Sequence, residues 1–214
     1  MIGYNCKYAP IEILAGFKEK CELINSEAEN FEYSAFKLHQ NMCSHAKAMF
    51  EEIHTKKYNK LLFTNCCDSA KRVFNATESE NIDFKYIIDL PVCNNDCAIN
   101  KFKNDLLQFI NEYESVSKKK FDVEMFLSSF KNNTHFPKGK YIAILGARSN
   151  KTLLDATQNC FKNIEILNLT CAVNREILPF EVEKNESLES IMLKYAKALL
   201  SQTPCMRMQN IKKR

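Results

Sequence analysis

The 214-residue chain contains no tryptophan, four glycines and five prolines, and the scarcity of glycine removes a class of function. So few glycines leave no Gly-rich turn to cradle a phosphate. Gly146, at the end of the apolar run Tyr141–Leu145, lacks the further glycines of a dinucleotide fingerprint. No G-x-S-x-G segment offers a serine nucleophile, and no C-x2-C pair offers a closed zinc site. His45 and His54 stand nine residues apart, outside the i, i+4 register of a shared zinc. No apolar run approaches the ~18 residues of a membrane span, and the start of the chain lacks a charged-then-apolar leader, so a cytoplasmic protein that makes no membrane contact is expected. The net charge of +4 is mild. Its two basic runs, Lys118-Lys119-Lys120 and Lys212-Lys213-Arg214, are short and free of aromatics, which reads as a solvated helix end and a solvated terminus, with no nucleic acid.

What remains is the balance of a globular protein that folds, 45% hydrophobic and 26% charged, together with ten cysteines. In an intracellular chain of this length that count points to metal binding or buried thiols, not to a disulfide framework.

Residues 1–92 alternate short apolar runs with helical patterns. Strands are expected at Met1–Tyr4, Cys21–Asn25, Lys60–Asn65 and Lys85–Leu90, and helices near Pro10–Lys18, Asn41–Thr55 and Asp68–Ala76. Pro10 suits a first helical turn and Asp68 a cap. Such alternation implies a parallel α/β sheet whose ligands gather at the carboxyl ends of the strands. Residues 93–137 form a helical connector, with Phe102, Leu106, Phe109, Ile110 and Tyr113 on one helix face and Val123, Phe126, Leu127 and Phe130 on the next. The polar stretch 131–140 marks a boundary. Residues 138–214 then read as a partial second α/β unit: strands Tyr141–Gly146 and Ile164–Leu169, a helix near Lys151–Phe161, and a final helix Ser187–Leu200 with Leu188, Ile191, Tyr195 and Leu199 on one face. Two strands leave an apolar edge to be covered.

The chemistry gathers at Cys43 and Cys67, each placed where a strand or loop passes into a helix. A thiolate there lies near unpaired backbone N–H groups and the positive end of the helix dipole, which favours the metal-binding form and supplies donors to cluster sulfur. Spacing alone favours the plainer alternative of two buried thiols acting as small hydrophobes. Cys66 is expected in the core or behind its neighbour. Cys93 and Cys97 fit a metal pair less well than Asn94 and Asp96 fit a helix cap. Glu12, in the first turn after Pro10, faces the strand-end crevice and could position a polar group or transfer a proton; on the residues alone, a carboxylate complementing the helix dipole is the favoured explanation.

The order of Ile2–Ala15, Cys43-Ser44-His45-Ala46-Lys47 and Cys67-Asp68-Ser69-Ala70-Lys71-Arg72 resembles the 2-hydroxyacyl-CoA dehydratase D-component family, which includes benzoyl-CoA reductase subunits and double-cubane cluster proteins. Ile88-Asp89-Leu90-Pro91, Asn168–Arg175 and Pro204–Met208 extend the similarity along the chain. The resemblance implies flavodoxin-like α/β domains and an oxygen-sensitive 4Fe–4S cluster of anaerobic metabolism lying in the cleft between them. It also implies a lyase or reductase activity in which an ATP-dependent activator supplies a low-potential electron and a 2-hydroxyacyl-CoA is dehydrated through a ketyl radical. Cys43 and Cys67 match two cluster-ligating cysteines, and Glu12 matches the family's Pro-x-Glu segment. The remaining cluster cysteine is expected beyond Cys205, so Cys171 and Cys205 are not taken as ligands, and the cluster is expected to be incomplete here or shared with a second dehydratase-type subunit. The competing expectation is a non-catalytic homologue that keeps the fold as a binding or assembly subunit.

Overall fold

The short apolar runs at the start of the chain are too brief to stand alone as sheet and become stable by pairing in parallel, with helices covering both faces. In the structure, a computed structural model, residues 1–26, 28–56, 58–130, 139–146, 148–149, 151–170, 175, 177–202, 205 and 207–208 are described. Strands β1 (Ile2–Tyr4), β2 (Cys21–Leu23), β3 (Lys60–Thr64) and β4 (Phe84–Ile88) form one parallel sheet in the order β2-β1-β3-β4. That is the opening of the flavodoxin-like order, with its switch point between β1 and β3. The helices described are α1 (Ile11–Gly16), α2 (Glu32–Lys37), α3 (Ser44–Lys56), α4 (Asp68–Ala76), α5 (Asp96–Ser117), α6 (Val123–Ser128), α7 (Lys151–Cys160) and α8 (Leu188–Leu200). The expected α/β class and parallel sheet are therefore found.

The period of two along β3 divides the core. Leu61 and Phe63 pack with Ala46, Met49, Phe50 and Ile53 of α3 and Val73 of α4. Leu62 turns to the opposite face with Ile2 and Ile88, against α1, α5, α6 and α8. On that second face the expected α5 stripe of Phe102, Leu106, Phe109, Ile110 and Tyr113 is fully buried. Its partner is α8: Ile191, Tyr195 and Leu199, late in the chain, join the core of the first sheet. Gly16 lets α6 approach α1, because a Cβ at that position would overlap the Phe121 ring.

Differences from the expected boundaries have local causes. β3 and β4 stop at Thr64 and Ile88, past which the Leu90 N–H is accepted by the side-chain carbonyl of Asn65, 2.8 Å away, in place of a backbone carbonyl. Cys67, not Asp68, caps α4, and Asn95, not Asn94 or Asp96, caps α5 by accepting from the Ala98 N–H at 2.9 Å. Helix α2 is additional to the expected set. Lys118 ends α5 in the left-handed region at φ 59°, while Lys119 and Lys120 pair with Glu19 and Glu114, as suits a solvated helix end.

A second parallel pair, β5 (Tyr141–Ile144) and β6 (Glu165–Asn168), is joined through α7. No residue of α7 is buried, and Tyr141, Leu145, Leu153 and Phe161 are exposed. The polar stretch 131–138, Cys171 and the basic tail 212–214 lie outside the described residues. Among the described residues no helix is long and apolar enough to cross a membrane.

Candidate functional site

Parallel strands deliver their carboxyl ends to one edge, and at the switch point two asparagines anchor the turn that leaves β3. Asn5, buried just after β1, donates through Nδ2 to the Thr64 carbonyl at 3.0 Å and accepts from the Thr64 N–H at 2.9 Å, so that it bridges β1 to β3. The same Nδ2 lies 3.6 Å from Cys66 Sγ. Asn65 donates its backbone N–H to the Ile88 carbonyl at 3.1 Å, and its side-chain amide donates to Asp89, which also receives Lys101. The turn bearing Cys66 and Cys67 is thereby held from both neighbouring strands.

Cys67 is the N-cap of α4, and its sulfur accepts from the Ala70 N–H at 3.4 Å. Its thiol is drawn down to about 6, first by the Cys66 S–H and then by the Ala70 and Ser69 N–H groups, against partial burial and the Asp68 charge. Cys66 lies between Cys67 and Cys6. Its own ionisation is pushed up by donating to those two sulfurs and then by burial. Cys6 is drawn down to about 6 by Cys66 first, with help from the Tyr8 N–H, Thr64 and the Lys7 charge, against burial. Cys66 has one proton and serves one sulfur at a time. Cys67, exposed and seated on a helix start, is the sulfur better placed to carry charge.

Cys43 sits one residue before α3, and its carbonyl accepts the Lys47 N–H at 3.2 Å, the bond that opens the helix. Its exposed thiol donates to Ser69 Oγ at 3.6 Å. Ser69 belongs to the first turn of α4, so the starts of α3 and α4 adjoin and the two expected ligand cysteines stand on neighbouring helix ends.

Glu12 is placed elsewhere in the network. It is buried, its Oε2 pairs with Arg175 Nη2 at 2.5 Å and accepts from the Tyr195 hydroxyl at 2.7 Å. Arg175 also donates through Nη1 to the Ala9 carbonyl at 2.6 Å and to that of Lys7. Burial, followed by the Glu12 charge, keeps the Tyr195 hydroxyl protonated. These contacts clamp the connection between β1 and α1 on which Cys6 lies.

The other candidates are dispersed. Cys93 is half-buried and Cys97 exposed beside the Asn95 cap. Burial pushes Cys21 up to about 11 and raises Cys205. His54 stacks on Tyr33 with ring centroids 3.4 Å apart and pairs with Glu80 at 2.9 Å. Among the described residues no group of three or more His, Cys, Asp or Glu side chains is arranged to hold a metal ion. Reading by segment missed Asn5, Ser69 and Arg175 as parts of the site. Asn5 carried a signal, a carboxamide directly after a buried strand at the switch point. Arg175 lies 163 residues from Glu12 and carried none.

The fold and these contacts define a doubly wound α/β protein with a thiol site beyond the switch point of its sheet. Residues 6–135 match the family model described as 2-hydroxyglutaryl-CoA dehydratase, D-component, and the chain belongs to that family. The matched stretch holds Cys6, Glu12, Cys43, Cys66 and Cys67 and ends before β5. Comparison with curated proteins finds no match.

Proposed function

We propose that this protein is a cluster-bearing subunit of a 2-hydroxyacyl-CoA dehydratase or related low-potential reductase, with Cys43 and Cys67 as two ligands of a 4Fe–4S cluster. The observation that carries the reading is the contact between Cys43 and Ser69, which brings the two helix-start thiols onto adjoining ends. Membership of the dehydratase family supports the class of reaction. The donor set fits two ligand positions: Cys67 has a thiolate favoured by N–H groups, Cys43 is exposed, and the Ser69 hydroxyl and the N–H groups of the first turn of α4 are the type of donor that tunes cluster sulfur. The remaining ligands come from a partner subunit or from residues outside the described set. When bound, the group supplies one-electron transfer at low potential to an acyl-CoA thioester, the electron coming from an ATP-dependent activator.

This chain's own part is to hold sulfur. Asn5 and Asn65 fix the Cys66-Cys67 turn, and Cys66 donates a hydrogen bond towards Cys67. Glu12 acts through position: its pair with Arg175 braces the connection behind Cys6, and a part in proton transfer requires that carboxylate to leave Arg175 and Tyr195. Anaerobic reconstitution followed by iron and acid-labile sulfide analysis tests the proposal. Wild type is expected to retain both, Cys43→Ala and Cys67→Ala to lose most of each, and Cys160→Ala to match wild type. Wild type that holds no iron after reconstitution refutes it.

The exposed apolar side chains Tyr141, Leu145, Leu153 and Phe161 favour a second reading, a non-catalytic subunit that uses this surface for assembly. A monomer that carries a full complement of iron excludes that reading.

A further inference from the structure

An edge strand presents unpaired backbone groups to whatever can reach them. Strand β1 is enclosed, with β2 along one edge and β3 along the other. Strand β5 holds the same leading place in the second parallel pair, but β6 fills only one of its edges, and no other described strand pairs with it. The Ile144 carbonyl accepts from the Leu169 N–H at 2.9 Å, so Ile142 and Ile144 direct their backbone groups to β6. Those of Tyr141, Ala143 and Leu145 point to the open side. The side chains of the same residues share one face by the period of two, and all of them are exposed, Tyr141 by 50% and Leu145 by 59%.

The sequence of this edge fits itself. Tyr141-Ile142-Ala143-Ile144-Leu145 keeps its pattern of bulk when reversed, with a large apolar residue at each end, an isoleucine inside each and alanine at the centre. Turned about a two-fold axis through Ala143, a second copy lays Leu145 against Tyr141, Ile144 against Ile142 and Ala143 against Ala143. The outward backbone groups then meet in hydrogen-bonded pairs, each exchanging both N–H···O bonds, and Tyr141 packs on Leu145 across the strands on either side of the axis. Residues 141–145 carry no charge. Lys140 falls opposite Gly146, so the two copies of Lys140 stand at opposite ends of the paired strands, about 20 Å apart at ~3.3 Å per residue, beyond the ~8–10 Å reach of exposed charges in salt. Strand β6 has no such match. Reversal sets Asn168 against Glu165, and Asn168 Oδ1 is already engaged, accepting from the Thr170 N–H at 3.0 Å and its hydroxyl at 2.7 Å.

We infer that a second copy of this chain pairs antiparallel with the free edge of β5, about a two-fold axis through Ala143. The product is a closed dimer with a four-stranded sheet in the order β6-β5-β5-β6, where each chain alone has a strand pair too small to be stable by itself. The inference gives a partner to the assembly surface named above. It stands apart from the cluster proposal, since neither Cys43 nor Cys67 lies on β5.

The test is sedimentation velocity of the full chain, prepared without iron, over a wide series of concentrations. A reversible monomer–dimer equilibrium is expected. Ala143→Asp sets two carboxylates face to face across the axis, on Cα atoms about 5.5 Å apart, and Ala143→Lys sets two ammonium groups there. Each variant alone is expected to dimerise at least tenfold more weakly than wild type. An equimolar mixture of the two is expected to dimerise again, because opposite charges then meet, and that recovery also shows that both variants keep the fold. Phe161→Ser, at an exposed position beyond α7, is expected to match wild type. Wild type that stays monomeric at every concentration, or that assembles beyond a dimer, overturns the inference. So does a dimer undiminished in Ala143→Asp, or a mixture no more dimeric than its components. A monomeric wild type that still takes up iron on reconstitution overturns this inference and leaves the cluster proposal standing.

Discussion

Replacing Glu19 with glutamine removes a charge that ties three elements together beneath the sheet. Its Oε1 accepts from Lys60 at the start of β3 at 3.2 Å, from the Tyr113 hydroxyl of α5 at 2.8 Å and from Lys119 beyond α5 at 2.7 Å. Although burial opposes ionisation, the Lys119, Tyr113 and Lys60 contacts bring the carboxyl down from 4.5 to about 2. At about 1.36 kcal/mol per tenfold change in proton affinity, that interval corresponds to roughly 3 kcal/mol if realised in full. The Glu19 side chain is 15% exposed, but Lys119 is 47% exposed, and solvent screening of that partner reduces the expected contribution to about 1–2 kcal/mol. A carboxylate depressed on folding stabilises fully above its unfolded value, and the gain is lost as pH falls from 4.5 towards 2. Glu19→Gln is therefore expected to be less stable than wild type by about 1–2 kcal/mol at pH 7, with the gap closing across that interval. Without tryptophan, urea unfolding is best followed by far-ultraviolet circular dichroism at a series of pH values. A gap that stays constant from pH 7 to pH 2 would refute the assignment.

Gly16→Ala drives a methyl into the Phe121 ring and is expected to cost about 1–3 kcal/mol by overpacking, read as a lower urea midpoint with unchanged slope. Lys118→Gly relieves a left-handed residue at the end of α5, and a gain of about 0.5–1 kcal/mol is expected in thermal or urea unfolding. Glu12→Gln leaves the Arg175 charge without its buried partner, with an expected loss of roughly 3–5 kcal/mol. Adding Arg175→Met should recover a large part of it, and a double variant no better than the single would count against the ion pair as the cause.

Much of the first sheet was legible because its signals are local. The run Lys60–Thr64 alternates its faces within five residues, and α4 occupies Asp68–Ala76 as expected. The cap of α4 was not legible, because a thiol is a weak acceptor and Asp68 stands beside it with better credentials. Helix α2 escaped notice since six residues with Phe36 84% exposed carry no burial pattern to detect. At the candidate site, two cysteines at helix starts could be read from their segments. That they adjoin depends on Ser69, and that Glu12 is engaged depends on residues 163 and 183 positions away. Such pairings are products of topology and leave no periodic trace.

The packing of α8 on α5 has a consequence for the making of the chain. Roughly 80 residues separate the end of α5 from the end of α8, which at about 5–20 residues per second is some 4–16 s of synthesis. Through that interval the stripe from Phe102 to Tyr113 has emerged without the helix that covers it. The nascent protein thus exposes an apolar helix face until α8 follows, and a holdase or a slowly decoded stretch after Ser117 bears on its yield.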